Sequence, residues 1–349
     1  MWRKAALTLA RSQGIRRTGE HCLAASLSKN AIVRQDVLDL RHFAASSLRD
    51  LLTEETELWQ RRLRWDYRAS AQLLLDYLDS RILPGFVATE DGRPAGYVFC
   101  VYEQHKAVIG DVFATAQARE RASRIESRLL EHTLELLQST PGTARVETQL
   151  LLHPKGQFRE IFTQNGFDFY PRVFMERQLR RERPAATLAL PPSLHLRSWR
   201  DGDFAAAGRL IALAYQGHLD SVINDQYRTT AGSLRFLHNI VRFPGCGQFD
   251  PATSLVLAHR DSEELAGIVL CSRVNIDTGH VTQICVEPAL RHAGLGRLLL
   301  TQCMQALAAL GLSYISLTVT EGNQEALLLY RRMGFKSRHS FDAMVWQRN

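Results

Sequence analysis

The sequence predicts an α/β fold with a mixed sheet, built twice along one chain. Three observations carry this. The 349 residues, 45% hydrophobic and 23% charged, are enough for two domains, each with its own core. Short β-prone runs and amphipathic helices follow one another in the same order in both halves. When the halves are laid on each other, Arg119 meets Arg291, and Phe162 through Phe167 meets Tyr330 through Phe335.

The first half begins near Ala31 with alternating apolar residues, followed by an acidic and aromatic helical stretch over 48–81. Three β-prone runs over 86–115 are separated by turn signals at Glu90-Asp91-Gly92 and around Gln104-His105. A helix over 124–139 stops at Thr140-Pro141-Gly142, a strand follows over 144–152, and the unit closes with a helix and strand over 158–179. The charged, Pro-containing stretch 180–193 reads as a linker. The order then repeats over 194–349: a strand from Leu194, a helix from Asp203, strands near 254–260 and 266–274, a strand at 280–286, a helix from Arg297, a strand at 314–319, a helix from Gln324 and a last strand at 343–346.

Composition removes several classes of protein. The formal net charge is +7, but residues 1–30 hold six Lys or Arg against the single acid Glu20, which leaves the rest of the chain close to neutral. Nucleic-acid and membrane binding therefore have little support. The Arg-rich, acid-poor segment 1–30 reads as a basic extension, with a transit peptide as the other reading. No apolar run reaches the roughly 20 residues of a membrane span. The six cysteines form neither a CxxC pair nor a Cys/His cluster with zinc spacing, so no metal is expected. They read as small buried thiols of the cytoplasm.

The most informative stretch is ICVEPALRHAGLGRLLLTQCMQAL. A strand ends at Glu287-Pro288, a tight loop spans Arg291, His292, Ala293, Gly294, Leu295 and Gly296, and a helix opens at Arg297. Such a turn aims several free backbone N–H groups and a helix dipole at one point, which suits a pyrophosphate. Gly294 and Gly296 let the backbone come close to it. The pattern is neither GxGxxG nor GxxxxGK[ST], which disfavours a nucleoside triphosphate.

Together with TVTEGNQEALLLYRRMGF downstream, this block resembles the GNAT acetyltransferase superfamily. Arg291, Gly294 and Gly296 match its loop motif; Asn323, Ala326, Leu329, Tyr330, Gly334 and Phe335 match the second part. The likeness is strong over 194–349 and weaker over 31–179, where Ala122 and Arg124 replace the glycines and Phe162 replaces the tyrosine. It implies two tandem acyl-CoA N-acyltransferase folds of which only the second keeps the cofactor loop. Acetyl-CoA is the implied donor, and a small-molecule or protein amine the acceptor.

The resemblance also implies roles. The loop N–H groups and Arg297 would hold the pyrophosphate, while Ile284, Cys285 and Val286 would pair with the pantetheine arm as an added strand does, beside a neighbour strand that splays away. A main-chain N–H near Val286 would stabilise an oxyanion, and Tyr330 would protonate the leaving thiolate. Asn323 would lie near the pantetheine, or simply cap a helix. His280 is the candidate base; a period of two places it on one face with Thr282, Ile284 and Val286. Asp220, Asn224, Asp225 and Tyr227 are candidates to hold the acceptor, with helix capping as the other reading. A CoA-sensing or partner-binding module without turnover is the alternative function. A monomer or a homodimer is expected.

Overall fold

A computed structural model describes residues 34–179 and 190–348. The basic segment 1–30 and most of the linker expected over 180–193 lie outside the described residues. The first half runs β1 (Gln35–Asp39), α1 (Ala45–Leu63), α2 (Arg68–Asp79), β2 (Gly85–Glu90), β3 (Arg93–Glu103), β4 (Lys106–Ala114), α3 (Ala122–Ser139), β5 (Arg145–Gln149), α4 (Arg159–Gln164) and β6 (Asp168–Gln178). The second runs β7 (Leu194–Ser198), α5 (Phe204–Ala214), α6 (Asp220–Ile223), α7 (Thr230–Arg242), β8 (Gln248–Phe249), β9 (Leu255–His259), β10 (Leu265–Asn275), β11 (Thr278–Val286), α8 (Leu295–Ala309), β12 (Tyr314–Thr320), α9 (Gln324–Arg332) and β13 (Lys336–Gln347).

The punctuation read from the sequence shapes these elements. Asp91 and Gly92 take φ of 49° and 78°, the left-handed pair that a two-residue hairpin needs between β2 and β3. The helical stretch expected over 48–81 is two helices. Arg64 adopts a left-handed φ of 54° and closes α1 with its N–H on the Gln60 carbonyl, so α2 can turn back and pack on α1.

All strands join one mixed sheet in the order β1-β2-β3-β4-β5-β13-β6-β12-β11-β10-β9-β7, with β8 paired on β10. Each half contributes one parallel pair, β4 with β5 and β11 with β12; the remaining pairs are antiparallel. The centre departs from two side-by-side units ending at residues 179 and 349. The first half's last strand, β6, pairs with β12 of the second half, and the second half's last strand, β13, pairs with β5 of the first. β6 and β13 then pair with each other from Lys336↔Glu176 to Val345↔Asp168.

The exchange carries core residues across. Val173 and Met175 of β6 pack into the second half's core with Leu299, Leu307, Leu317 and Tyr330. Met344 of β13 packs into the first half's core with Leu129, Leu134 and Phe162. Each such buried side chain contributes about 1.5–3 kcal/mol to the opposite half. No helix among the described residues is long and apolar enough to cross a membrane.

Candidate active site

The parallel pair of the second half comes apart midway. β11 and β12 are paired only over Thr278↔Tyr314 to Val281↔Leu317, so Thr282 to Val286 of β11 and Thr318 to Thr320 of β12 do not pair with each other. A cleft of about 570 Å³ occupies the gap and runs to the N-terminus of α8. Its walls include Ile284, Cys285, Val286, Thr318, Asn323 and Tyr330, and its mouth includes Arg291, His292, Gly294 and Arg297.

A β-bulge accompanies the splay. Adjacent residues Leu270 and Cys271 of β10 face Gln283 and Val281 of β11, so Thr282 is the extra residue. The bulge shifts the side-chain alternation. Val281 shares the α8 side with Ile284 and Val286, while Cys285 packs on the opposite side against the α5 and α7 cluster. His280 therefore does not share a face with Ile284 and Val286, as simple alternation would have it. It lies 7% exposed between Trp65 and Phe174, with Nδ1 2.9 Å from the Ser316 hydroxyl, and is absent from the cleft wall. Burial, aided by the charge of Arg172, pushes its pKa down to about 3. The base role read for His280 is thus corrected by position and by chemistry.

The free edge of β11 faces the cleft. The Glu287 N–H bonds the Ala266 carbonyl across to β10, and alternation from there turns the Val286 N–H away from β10 and toward the gap. The Ile284 N–H is held at 2.9 Å by the Gln283 side-chain oxygen, which also accepts the Tyr215 hydroxyl at 2.8 Å. The Gln283 amide nitrogen is buried without a partner.

At the mouth, His292 and Gly294 take φ of 63° and 80°, and Gly294 caps α8. Among the described residues no acceptor takes the N–H groups from His292 to Arg297. The Arg291 guanidinium donates to the Ala214 carbonyl and ties the loop to the end of α5. A Cβ built on Gly296 would meet nothing closer than Val286 at 4.0 Å, so the folded chain itself does not demand glycine there. Free donors, a helix N-terminus and open space above Gly296 fit the pyrophosphate of a CoA thioester. The Ala293 side chain is outside the cleft lining, although its N–H belongs to the loop.

Tyr330 lies on the cleft wall, 7% exposed, and burial with Asp220 nearby raises its pKa above the usual phenol value. It therefore keeps its proton. Burial pushes the Cys285 thiol up to about 12, so that sulfur stays neutral. Asn323 does cap a helix: its side-chain oxygen accepts the Ala326 N–H at 3.1 Å. Its amide nitrogen meanwhile lies 3.3 Å from His218 Nε2 at the cleft wall.

Of the four residues expected to hold the acceptor, two face the cleft. Asp220 accepts the Thr320 hydroxyl at 2.5 Å, and Tyr227 packs on Tyr215 with ring centroids 4.5 Å apart and the rings tilted by 30°. The other two are corrected. Asn224 caps a helical turn through the Gln226 N–H. Asp225 is paired with the first half: Lys106 reaches it at 2.5 Å and Glu147 at 3.1 Å, while Arg145 pairs with Glu147 at 2.6 Å. A buried ion network thus clamps segment 220–228 against β4 and β5. Burial alone would lower the Lys106 pKa, but Glu147 and Asp225 outweigh it and raise it.

Two cleft residues carried no role in the sequence reading. His218 was legible only as one polar residue among several; folding brings it between Asp220, whose N–H meets its Nδ1 at 3.1 Å, and Asn323. Arg172 sits on the exchanged strand β6, and no motif marks it.

Residues 220–335 match the acetyltransferase (GNAT) family. The chain has a fold like that of tandem GNAT proteins, and the family match lies within its second half. Among curated proteins it is similar to the mycothiol acetyltransferase of Gordonia bronchialis, 35% identical over 99 residues, 28% of this chain. That match spans about a third of the relative's length, 32%. Among solved structures it resembles a GCN5-related N-acetyltransferase from Sphaerobacter thermophilus, with TM-score 0.58 and 16% identity over 90% of this chain and 95% of that one. It also resembles a tandem GNAT protein of the clavulanic acid biosynthesis pathway, with TM-score 0.59 and 14% identity over 90% and 98% of the two chains. At these identities the likeness is one of fold.

Proposed function

We propose that this protein is an acetyl-CoA-dependent N-acetyltransferase that works in its second half, with a non-catalytic first half. The observation that carries the reading is the splayed β11/β12 cleft leading into a loop of free N–H groups. Acetyl-CoA would supply an acyl thioester. The loop from His292 to Arg297 would hold its pyrophosphate, and the outward edge of β11 its pantetheine arm, with the Val286 N–H available to an oxyanion. Tyr330 holds a proton at Oη for the departing sulfur. His218, between Asp220 and Asn323, takes the place expected of His280: an imidazole at the cleft wall that would receive a proton from an ammonium acceptor once Nε2 exchanges its Asn323 contact for the acceptor. The five cysteines among the described residues are free thiols, which supports a reducing cytoplasmic setting.

Calorimetric titration with acetyl-CoA, followed by thiol release against a panel of primary amines, tests the proposal. Micromolar acetyl-CoA binding and amine-dependent thiol release are expected. Binding without release from any amine would favour the CoA-sensing alternative, and absence of binding would overturn both.

A further inference from the structure

The acceptor end of the cleft contains a cation that has no counter-ion among the described residues. Arg172 extends from β6, where it stands opposite Thr320 of β12 and Phe341 of β13, and it lines the cleft although it belongs to the first half. Its Nη1 donates to the Gln149 side-chain oxygen at 2.7 Å, which orients the guanidinium; its Nε is buried without a partner. No carboxylate among the described residues pairs with it. The other arginines of the cleft, Arg291, Arg297 and Arg332, stand on the glycine loop, on α8 and at the last residue of α9. A half-buried guanidinium loses part of its hydration, and that loss is offset when a planar anion accepts its N–H fork.

Arg172 shares the cleft with Asp220 and His218. Asp220 and His218 offer an anion and a proton acceptor to an ammonium group; Arg172 offers a fork to an anion. We infer that the acceptor is an amino-carboxylic acid whose carboxylate is bound by Arg172, making Arg172 a specificity-determining residue supplied to the second half by strand exchange. The inference rests on the transferase reading above and names its substrate class.

The test uses the full chain, acetyl-CoA, and matched acceptors: the common L-α-amino acids and β-alanine, each as free acid and as primary carboxamide. Acetyl-CoA binding is measured by calorimetry, and kcat and KM by thiol release. For the best pair the free acid should exceed its carboxamide in kcat/KM by at least about tenfold. Arg172→Gln should lower kcat/KM for the acid by about 10- to 100-fold, chiefly through KM, and bring the acid-to-amide ratio near one. Arg172→Lys, which keeps the charge but not the fork, should retain part of the preference. If Arg172→Gln does not fold, the wild-type ratio and the Lys variant decide. Equal use of acid and amide, turnover of no member of the panel, or a ratio unchanged in Arg172→Gln would overturn the inference while acetyl-CoA binding persists. Loss of acetyl-CoA binding in the wild type would instead remove the transferase reading and this inference with it.

Discussion

The His153 imidazole reaches the Val112 carbonyl oxygen at 2.8 Å. That bond marks the contrast between the halves. β4 leaves β5 after Ile109↔Thr148 just as β11 leaves β12 after Val281↔Leu317. In the first half the exposed edge is taken by a side chain of its own chain, and burial pushes His153 down to about 4, so it stays neutral there. A short helical turn over Ala116–Arg121 leads into α3 where the second half has its glycine loop. The same splay is filled in one half and open in the other.

Gly296→Ala should separate folding from cofactor binding. Ala is the better helix former near the start of α8, and its Cβ has room, so thermal stability should hold or rise by about 0.5–1 kcal/mol. The methyl group would stand where the ligand must approach, and calorimetry should show acetyl-CoA affinity falling at least about tenfold. Unchanged affinity would remove Gly296 from the cradle.

Tyr330→Phe removes only the hydroxyl from a buried ring. Turnover should drop about 10²- to 10⁴-fold, as for loss of a general acid, with acetyl-CoA affinity changed less than about threefold. Wild-type turnover in this variant would end the proton-donor role.

His218→Gln should lower kcat about 10²-fold or more. Its acetyl-CoA affinity should stay within a few-fold of wild type, because His218 lies on the acceptor wall. Turnover within a few-fold of wild type would assign the base elsewhere.

His280 predicts a stability effect. Its folded pKa of about 3 lies below the ordinary 6.5, so between these values the unfolded chain binds a proton that the folded chain refuses. Its contribution is complete above pH 6.5 and is lost as pH falls toward 3. Urea unfolding of wild type and His280→Gln at pH 5, 6 and 8 should show the wild-type advantage shrinking below pH 6.5, by up to about 1.4 kcal/mol per pH unit. A difference independent of pH would contradict the burial described for this ring.

Lys106→Met leaves the buried Glu147 and the half-buried Asp225 with less compensation. A loss of about 3–5 kcal/mol in unfolding free energy is expected. Because the network clamps the segment that carries Asp220 and Tyr227, KM for the acceptor should rise more than the affinity for acetyl-CoA falls. Equal losses in the two would mean that the network supports the fold without shaping the acceptor wall.

Much of this architecture was readable from local chemistry. The hairpin at Asp91-Gly92, the stop after Ser139 and the loop at Gly294 and Gly296 each rest on residues whose conformational preferences act within a few positions. What escaped the sequence acts at longer range. The bulge at Thr282 leaves no mark of its own, and it moved His280 off the cleft. Asp225 looked available because its partner, Lys106, lies far away in the chain. The β6/β13 exchange could not be read from patterning, since either strand satisfies the same alternation beside β5 or β12. Arg172 was invisible for that reason: its neighbours exist only after the exchange.

The exchange also orders the protein's birth. β13 emerges from the ribosome after every other strand described, yet it is the strand that covers the edge of β5. A nascent first half thus waits with an open strand edge through the synthesis of nearly the whole second half, in the condition that invites pairing with other chains. Products truncated before Lys336 should accumulate in inclusion bodies even when both halves are otherwise present, and the full chain should depend on chaperones during synthesis more than two independent domains of its size would.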